Sequence, residues 1–169
     1  IVDFLERPIV HSEYLWQAAF PRGHVLGNQI ALPTDWYENQ MIAEKLLGFK
    51  YLRCDFEIRL QVNAQPSQAG GLIMYFIPFA QQMKLMNIDV LQDTGYRHVL
   101  LDINQATSAV LEVPYILNVA YFDLIARADW RLGNVVVKVF SPLRGGESDV
   151  DCTVYFRAKN VTVTMPVGL

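Results

Sequence analysis

The three histidines are the residues of this 169-residue chain best suited to acid–base or metal chemistry. His11, His24 and His98 lie on separate segments, and none has a cysteine or a second histidine at the spacing of metal ligands. No serine stands in a Gly-x-Ser-x-Gly context, and the chain has no Walker-type glycine loop. We therefore interpret each histidine as a hydrogen-bonded or surface residue and predict neither catalysis nor a cofactor.

A second candidate for chemistry is the acidic turn that follows Gly145-Gly146. Glu147, Asp149 and Asp151 carry carboxylates at alternate positions, and clustered oxygen ligands suit a divalent cation such as Ca²⁺. Three acids supply too few ligands by themselves, so we interpret the segment as a solvated turn. A metal site that a neighbouring chain completes is the alternative hypothesis.

The overall composition narrows the class of protein. A net charge of −3 and a pI near 5.6 argue against a sequence-independent nucleic-acid binder. Only 18% of the residues are charged, against about 25% in ordinary soluble domains. This shortfall suggests that neighbouring molecules cover part of the surface. The first residues, Ile1 to Leu5, contain neither a basic leader nor Met, so we expect a chain processed from something longer.

The clearest local pattern runs from Tyr51 to Asn63, where apolar and polar residues alternate strictly. This period of two predicts a long strand with one buried face. Shorter apolar runs bounded by turn residues predict its partners: Gly71–Ile77, Arg97–Ile103, Ala109–Val113, Asn134–Phe140 and Val150–Ala158. Many short strands separated by turns predict an all-β sandwich or barrel.

Helices have a minor part in the sequence. Helical spacing over Tyr37–Leu47, with Asp35 as N-cap, predicts one helix, and Gln81–Met86 could form a second. The chain has no internal repeat, linker or run of 18 apolar residues. We therefore predict a single domain over residues 1–169.

Several motifs in order resemble those of a known family. They are Phe49–Ile58, then Val62–Pro66 (VNAQP), then Gln68–Pro78 (QAGGLIMYFIP), then Leu111–Ile116 with its Val-Pro-Tyr element. Together these segments resemble the capsid proteins of picorna-like viruses, most closely those of dicistroviruses and iflaviruses. The resemblance covers nearly the whole chain.

The resemblance implies an eight-stranded antiparallel jelly-roll β-sandwich with one or two short helices. It also implies a structural, non-enzymatic capsid subunit that joins related capsid proteins in a non-enveloped icosahedral shell around RNA. Such a virion is assembled in the host cytoplasm, binds a host receptor, and needs no cofactor, no sequence-specific RNA contact and no membrane span. Family members usually carry a long N-terminal arm, which we expect to be absent from this domain.

A jelly roll makes a testable prediction about Cys54 and Cys152. The strand Tyr51–Asn63 and the strand Val150–Ala158 are antiparallel neighbours in that fold, and each cysteine lies near the start of its strand. Antiparallel pairing separates the two starts by roughly 20 Å or more. A disulfide needs Cα atoms within about 7 Å, so we predict two free thiols.

The long loops are the expected contact surfaces of such a subunit. Asn87–Tyr96 and Pro114–Leu132 should supply intersubunit and exterior surface. The candidate contact or loop-anchoring residues are Pro114, Tyr115, Tyr121, Phe122 and Trp130. Packing of these side chains within the subunit is the alternative for each of them.

Two other functions are consistent with a jelly roll. One is a secreted binding module, of the carbohydrate-binding or cytokine-like kind, and the other is a jelly-roll enzyme. The lack of a secretory signal and the order of the motifs argue against the first, and the missing metal cluster argues against the second.

Overall fold

The alternating segment forms one long strand, Phe49–Asn63, in the computed structural model of the chain. The structure describes residues 1–79, 90–127, 132–146 and 149–167. All six inward side chains of the alternating pattern are buried: Leu52, Cys54, Phe56, Ile58, Leu60 and Val62. Burial of one face of this strand confirms the period-two prediction.

Nine strands are present in the described residues. They are β1 (Ile9–Trp16), β2 (Val25–Leu32), β3 (Phe49–Asn63), β4 (Ala69–Pro78), β5 (Arg97–Asp102), β6 (Ser108–Val113), β7 (Phe122–Asp123), β8 (Gly133–Arg144) and β9 (Val150–Pro166). The late strands β8 and β9 extend well beyond the apolar runs that predicted them.

The strands form two antiparallel sheets that face each other. The first sheet has the order β1-β9-β3-β6, with the two-residue β7 paired to β3, and the second has the order β2-β8-β4-β5. Side chains from both inner faces make one core, whose largest members include Trp16, Trp36 and Phe56. Apart from the short β7, the two facing sheets have four strands each, which confirms the predicted eight-stranded jelly-roll sandwich.

The register between β3 and β9 confirms the prediction for the cysteines. Cys152 lies opposite Val62, which is eight residues along β3 from Cys54. Eight residues of strand span about 27 Å, and both thiols are free and buried. Burial raises the pKa of the Cys152 thiol to about 12, and it raises that of Cys54 as well. Neither thiol is therefore activated as a nucleophile.

The helices differ in detail from the prediction. Four short helices are described: α1 (Val2–Leu5), α2 (Thr34–Tyr37), α3 (Gln40–Leu46) and α4 (Val90–Asp93). The N-cap of α3 is Asn39, whose Oδ1 accepts bonds from the backbone N–H of Met41 and Ile42 at 3.1 and 3.4 Å. The predicted cap, Asp35, was wrong. The predicted segment Gln81–Met86 lies mostly within residues 80–89, outside the described ranges.

The run Gly71–Ile77 is apolar on both faces because both faces of β4 are buried. Leu72, Met74 and Phe76 point into the main core. Ile73, Tyr75 and Ile77 form a second cluster on the outer face of the second sheet, against which Tyr96 packs. The rings of Tyr75 and Tyr96 stack at 5.7 Å. The chain itself therefore covers part of the outer face of the second sheet.

Candidate interaction surface

The histidines each have a local partner and do not converge. His11 lies 3.1 Å from the Asp35 carboxylate, and Asp35 also accepts the N–H of Ala31. His24 stacks on Phe20, and His98 lies 2.9 Å from the carbonyl oxygen of Tyr96. His11 and His98 have the hydrogen-bond partners that the interpretation of hydrogen-bonded or surface residues allows, while the ring of His24 is stacked.

No group of three His, Cys, Asp or Glu side chains in the described ranges could hold a metal ion. Asp149 and Asp151 are both exposed, and Glu147 lies outside the described residues. The hypothesis of a cation site at this turn therefore stays a prediction.

Tyr115 attaches the loop after β6 to the first sheet. Its backbone N–H donates to the Asp55 carboxylate at 2.8 Å, and its hydroxyl donates to the Val119 carbonyl at 2.8 Å. Its ring lies 4.3 Å from the guanidinium of Arg53 and meets the Phe122 ring edge-on at 5.1 Å. The two hydrogen bonds and the two ring contacts of Tyr115 together hold the start of this loop in place.

Phe122 anchors the same loop further along. Its side chain is fully buried, and its backbone pairs with Leu52 as part of β7. Tyr121 points the other way. Its ring is 36% exposed and tilts over Tyr51 at 5.8 Å. Pro114 is also exposed, and Trp130 lies outside the described residues.

A chain of charged side chains crosses the outer face of the first sheet. Arg157 on β9 lies 2.8 Å from Glu57 on β3. Lys159 on β9 lies 3.4 Å from Glu57 and 3.1 Å from Glu112 on β6. Burial by itself would raise the pKa of Glu57. The hydrogen bond and charge of Arg157, helped by Lys159, overcome this effect and leave the pKa of Glu57 below its ordinary value.

Replacing Glu57 with Gln should lower the free energy of unfolding by about 1 kcal/mol at pH 7. A carboxylate with a lowered pKa in the folded state stabilises the protein above its unfolded pKa of about 4.3, and this contribution disappears as the pH falls through the folded pKa. The difference between variant and parent should therefore shrink from pH 6 towards pH 3. Urea unfolding across this range measures it.

The matched control for this prediction is Glu112→Gln. Among the described residues Glu112 forms an ion pair with Lys159 alone, and its side chain is 60% exposed, so its replacement should have a much smaller effect. Equal stability of Glu57→Gln and parent at pH 7, or a difference that grows in acid, would contradict the role given to Glu57.

The family model for picornavirus capsid proteins matches residues 16–144, which include all four strands of the second sheet. The chain belongs to the picornavirus capsid protein family. The predicted resemblance to picorna-like capsid proteins is thereby confirmed, and the secreted binding module has no support from these comparisons.

Relatives of this capsid protein include the structural polyproteins of two viruses, Cricket paralysis virus and Acute bee paralysis virus. It is 31% identical to the structural polyprotein of Cricket paralysis virus over 99% of its own length, and it spans only 19% of that polyprotein. It is 25% identical to the structural polyprotein of Acute bee paralysis virus and spans 21% of it. The capsid protein thus corresponds to about a fifth of each of these two polyproteins.

Solved structures give the same result for the fold. The capsid protein superposes on a chain of black queen cell virus with a TM-score of 0.90 and 30% identity, covering 73% of that chain. It superposes on a chain of the Triatoma virus empty capsid with a TM-score of 0.88 and 26% identity, covering 95% of that chain. Within the ranges that the structure describes, no helix of the capsid protein is long and apolar enough to cross a membrane.

The sequence located the loop aromatics but missed the residues that position them. Asp55 and Arg53 appeared only as outward positions of an alternating strand, and their loop partners are 60 and 67 residues away. The charged chain through Glu57 was missed for the same reason, since Arg157 is 100 residues away. The sequence did show charged residues at outward positions in the middle of a strand. Such positions do not reveal which distant residues pair with them.

Proposed function

We propose that this chain is a structural subunit that assembles with related capsid proteins into a closed icosahedral shell around an RNA genome. The proposal includes assembly in the host cytoplasm, the absence of enzymatic activity, and RNA contacts without sequence specificity. It rests chiefly on the superposition with a chain of the Triatoma virus empty capsid, of which this chain covers 95%.

The rigidity of the fold supports this function. A subunit of a closed shell must keep its shape under load, and the two sheets bury large aromatic side chains against each other in one core. The described residues offer acids, histidines and thiols at separate places and in ordinary roles, which is consistent with a structural protein.

The exposed part of the loop after β6 is the proposed contact with other subunits. Tyr115 and Phe122 hold the loop to its own subunit, so Pro114 and Tyr121 are the exposed ones among the described candidates and are available to contact a neighbour. Tyrosine is enriched at the centres of protein interfaces because its ring buries a large area at low entropic cost.

Co-expression of this chain with the other structural proteins of its genome, followed by electron microscopy, tests the proposal. Closed shells that contain the chain are expected. Shells that form from the other proteins and exclude this chain would contradict it. A Tyr121→Ser variant should reduce the yield of shells severalfold and leave the unfolding midpoint unchanged. The internal control is Phe122→Ala, which should lower the unfolding midpoint.

A further inference from the structure

A groove runs over β9 on the outer face of the first sheet. Its volume is about 540 Å³, and its walls come from β1 and β3. The strand register defines two rows across it. Asp151 lies between Leu15 and Asn63 in one row, and Thr153 lies between Glu13 and Gln61 in the next. The groove therefore offers hydrogen-bonding side chains on a flat, extended backbone.

The next row along the sheet has the composition of an interface centre. Tyr155 lies between Val10 on β1 and Arg59 on β3, and Arg59 lies opposite Val110 on β6. Val10 is 50% exposed and Val110 is 36% exposed, while Arg59 is also exposed. A tyrosine and an arginine among exposed aliphatic side chains are typical of binding hot spots.

Within the described ranges, some charged side chains on this face have a partner of opposite charge, and others do not. Arg157 and Lys159 are neutralised by Glu57 and Glu112. Among the described residues, Arg59 has no acidic partner.

The acids at the other end of the groove are equally unmatched. No ion pair between described residues includes Glu13 or Asp151, although both line the groove. Asp151 lies opposite Asn63, which is four residues along β3 from Arg59. The unmatched cation and the unmatched acid are therefore about 13 Å apart along the strands.

This spacing matches an extended polypeptide. In a strand, positions i, i+2 and i+4 point to the same side and span about 13 Å. Such a segment could lie along β9 with an acidic residue at one position and a basic residue four positions away. Its acidic residue would pair with Arg59, and its basic residue would pair with Asp151. The pair at Arg59 would then lie beside Val110 and the pair at Asp151 beside Leu15, where the bound segment would exclude water and ion pairs are stronger.

We propose that this face binds an extended segment of a neighbouring capsid subunit, with its acidic side chain on Arg59 and its basic side chain at Glu13 and Asp151. The inference rests on the proposed assembly into shells and identifies the face and the chemistry of one contact. The outer face of the second sheet is a poorer site because Tyr96 of the same chain packs on it.

The first test places a photo-crosslinking phenylalanine analogue at Thr153, on the groove floor, in co-expressed shells. Mass spectrometry of the irradiated shells should find a peptide of another capsid chain that contains an acidic and a basic residue four positions apart. The matched control position is Leu100, which is 51% exposed on β5 of the other sheet and should not capture that peptide. Crosslinks to RNA or within the same chain, or none, would overturn the inference.

The second test reverses the charge of Arg59. Arg59→Glu should reduce the yield of shells at least tenfold without changing the unfolding midpoint of the free chain, while Arg59→Lys should keep most of the yield. Normal yield from Arg59→Glu would overturn this inference alone. Failure of the unaltered chain to enter shells would overturn the proposed function, and this inference with it.

Discussion

Replacing Gly133 with alanine should lower the free energy of unfolding by about 4 kcal/mol. Gly133 begins β8 with a φ of +149°, a conformation that residues with a side chain rarely adopt. A Cβ at this position would overlap the carbonyl oxygen of Ile77 and the ring of Phe76 on the paired strand β4. Backbone strain and overpacking each cost about 1–3 kcal/mol, and here they add.

Urea unfolding followed by tryptophan fluorescence measures this change. Gly71→Ala on β4 is the matched control, because its backbone conformation is ordinary and a Cβ there would lie 3.5 Å from the nearest atom. The control should change stability by less than about 1 kcal/mol. If Gly133→Ala and Gly71→Ala lower the free energy of unfolding by similar amounts, the close approach of β4 to Gly133 does not destabilise the alanine variant.

Removing one partner of the buried pair Asp93–Lys138 should lower the free energy of unfolding by about 3–5 kcal/mol. The two charged groups lie 2.9 Å apart and are only 2–3% exposed, on the outer face of the second sheet where α4 covers it. Lys138 also lies 5.5 Å from the ring of Tyr75. Lys138→Met leaves the Asp93 carboxylate buried without a counter-charge, and this unpaired charge is the source of the loss.

The double replacement Asp93→Leu/Lys138→Met should recover most of that loss, because it removes both buried charges and leaves apolar groups in their place. A double-mutant cycle measured by urea unfolding gives the coupling energy, which should exceed about 4 kcal/mol because each single replacement is costly and the double replacement is not. Additive single changes would contradict the pairing. Amide exchange at residues 90–96 should also accelerate in Lys138→Met, because the pair fixes α4 to the sheet.

The site was only partly predictable from the sequence. Aromatic residues after a Val-Pro-Tyr element marked the loop as a candidate contact surface. Their separate roles depend on which way each side chain points: Phe122 is fully buried, while its neighbour Tyr121 is 36% exposed. Phe122 begins the two-residue strand β7, whose pairing with β3 places its ring in the core, while Tyr121 precedes the strand and lies over Tyr51. Such a short strand leaves no periodic pattern in the sequence.

The capping of α3 shows a similar limit. Both Asp35 and Asn39 are suitable N-cap residues by type. The carboxylate of Asp35 instead binds the N–H of Ala31 and lies beside His11 on β1, so the helix begins later, at Gln40. The contacts of Asp35 with Ala31 and His11 keep its carboxylate from capping α3, and contacts with other strands cannot be read from the local sequence.

By itself, the sequence determined the all-β class, the long strand β3, the separation of the two cysteines and the family, because alternation and ordered motifs are local properties of the chain. Only the tertiary structure decided which charges pair and which remain unmatched. Glu57 finds Arg157 across 100 residues, and Asp93 finds Lys138 across 45. Ion pairing depends on distances of a few ångströms, and folding alone sets those distances between residues far apart in sequence.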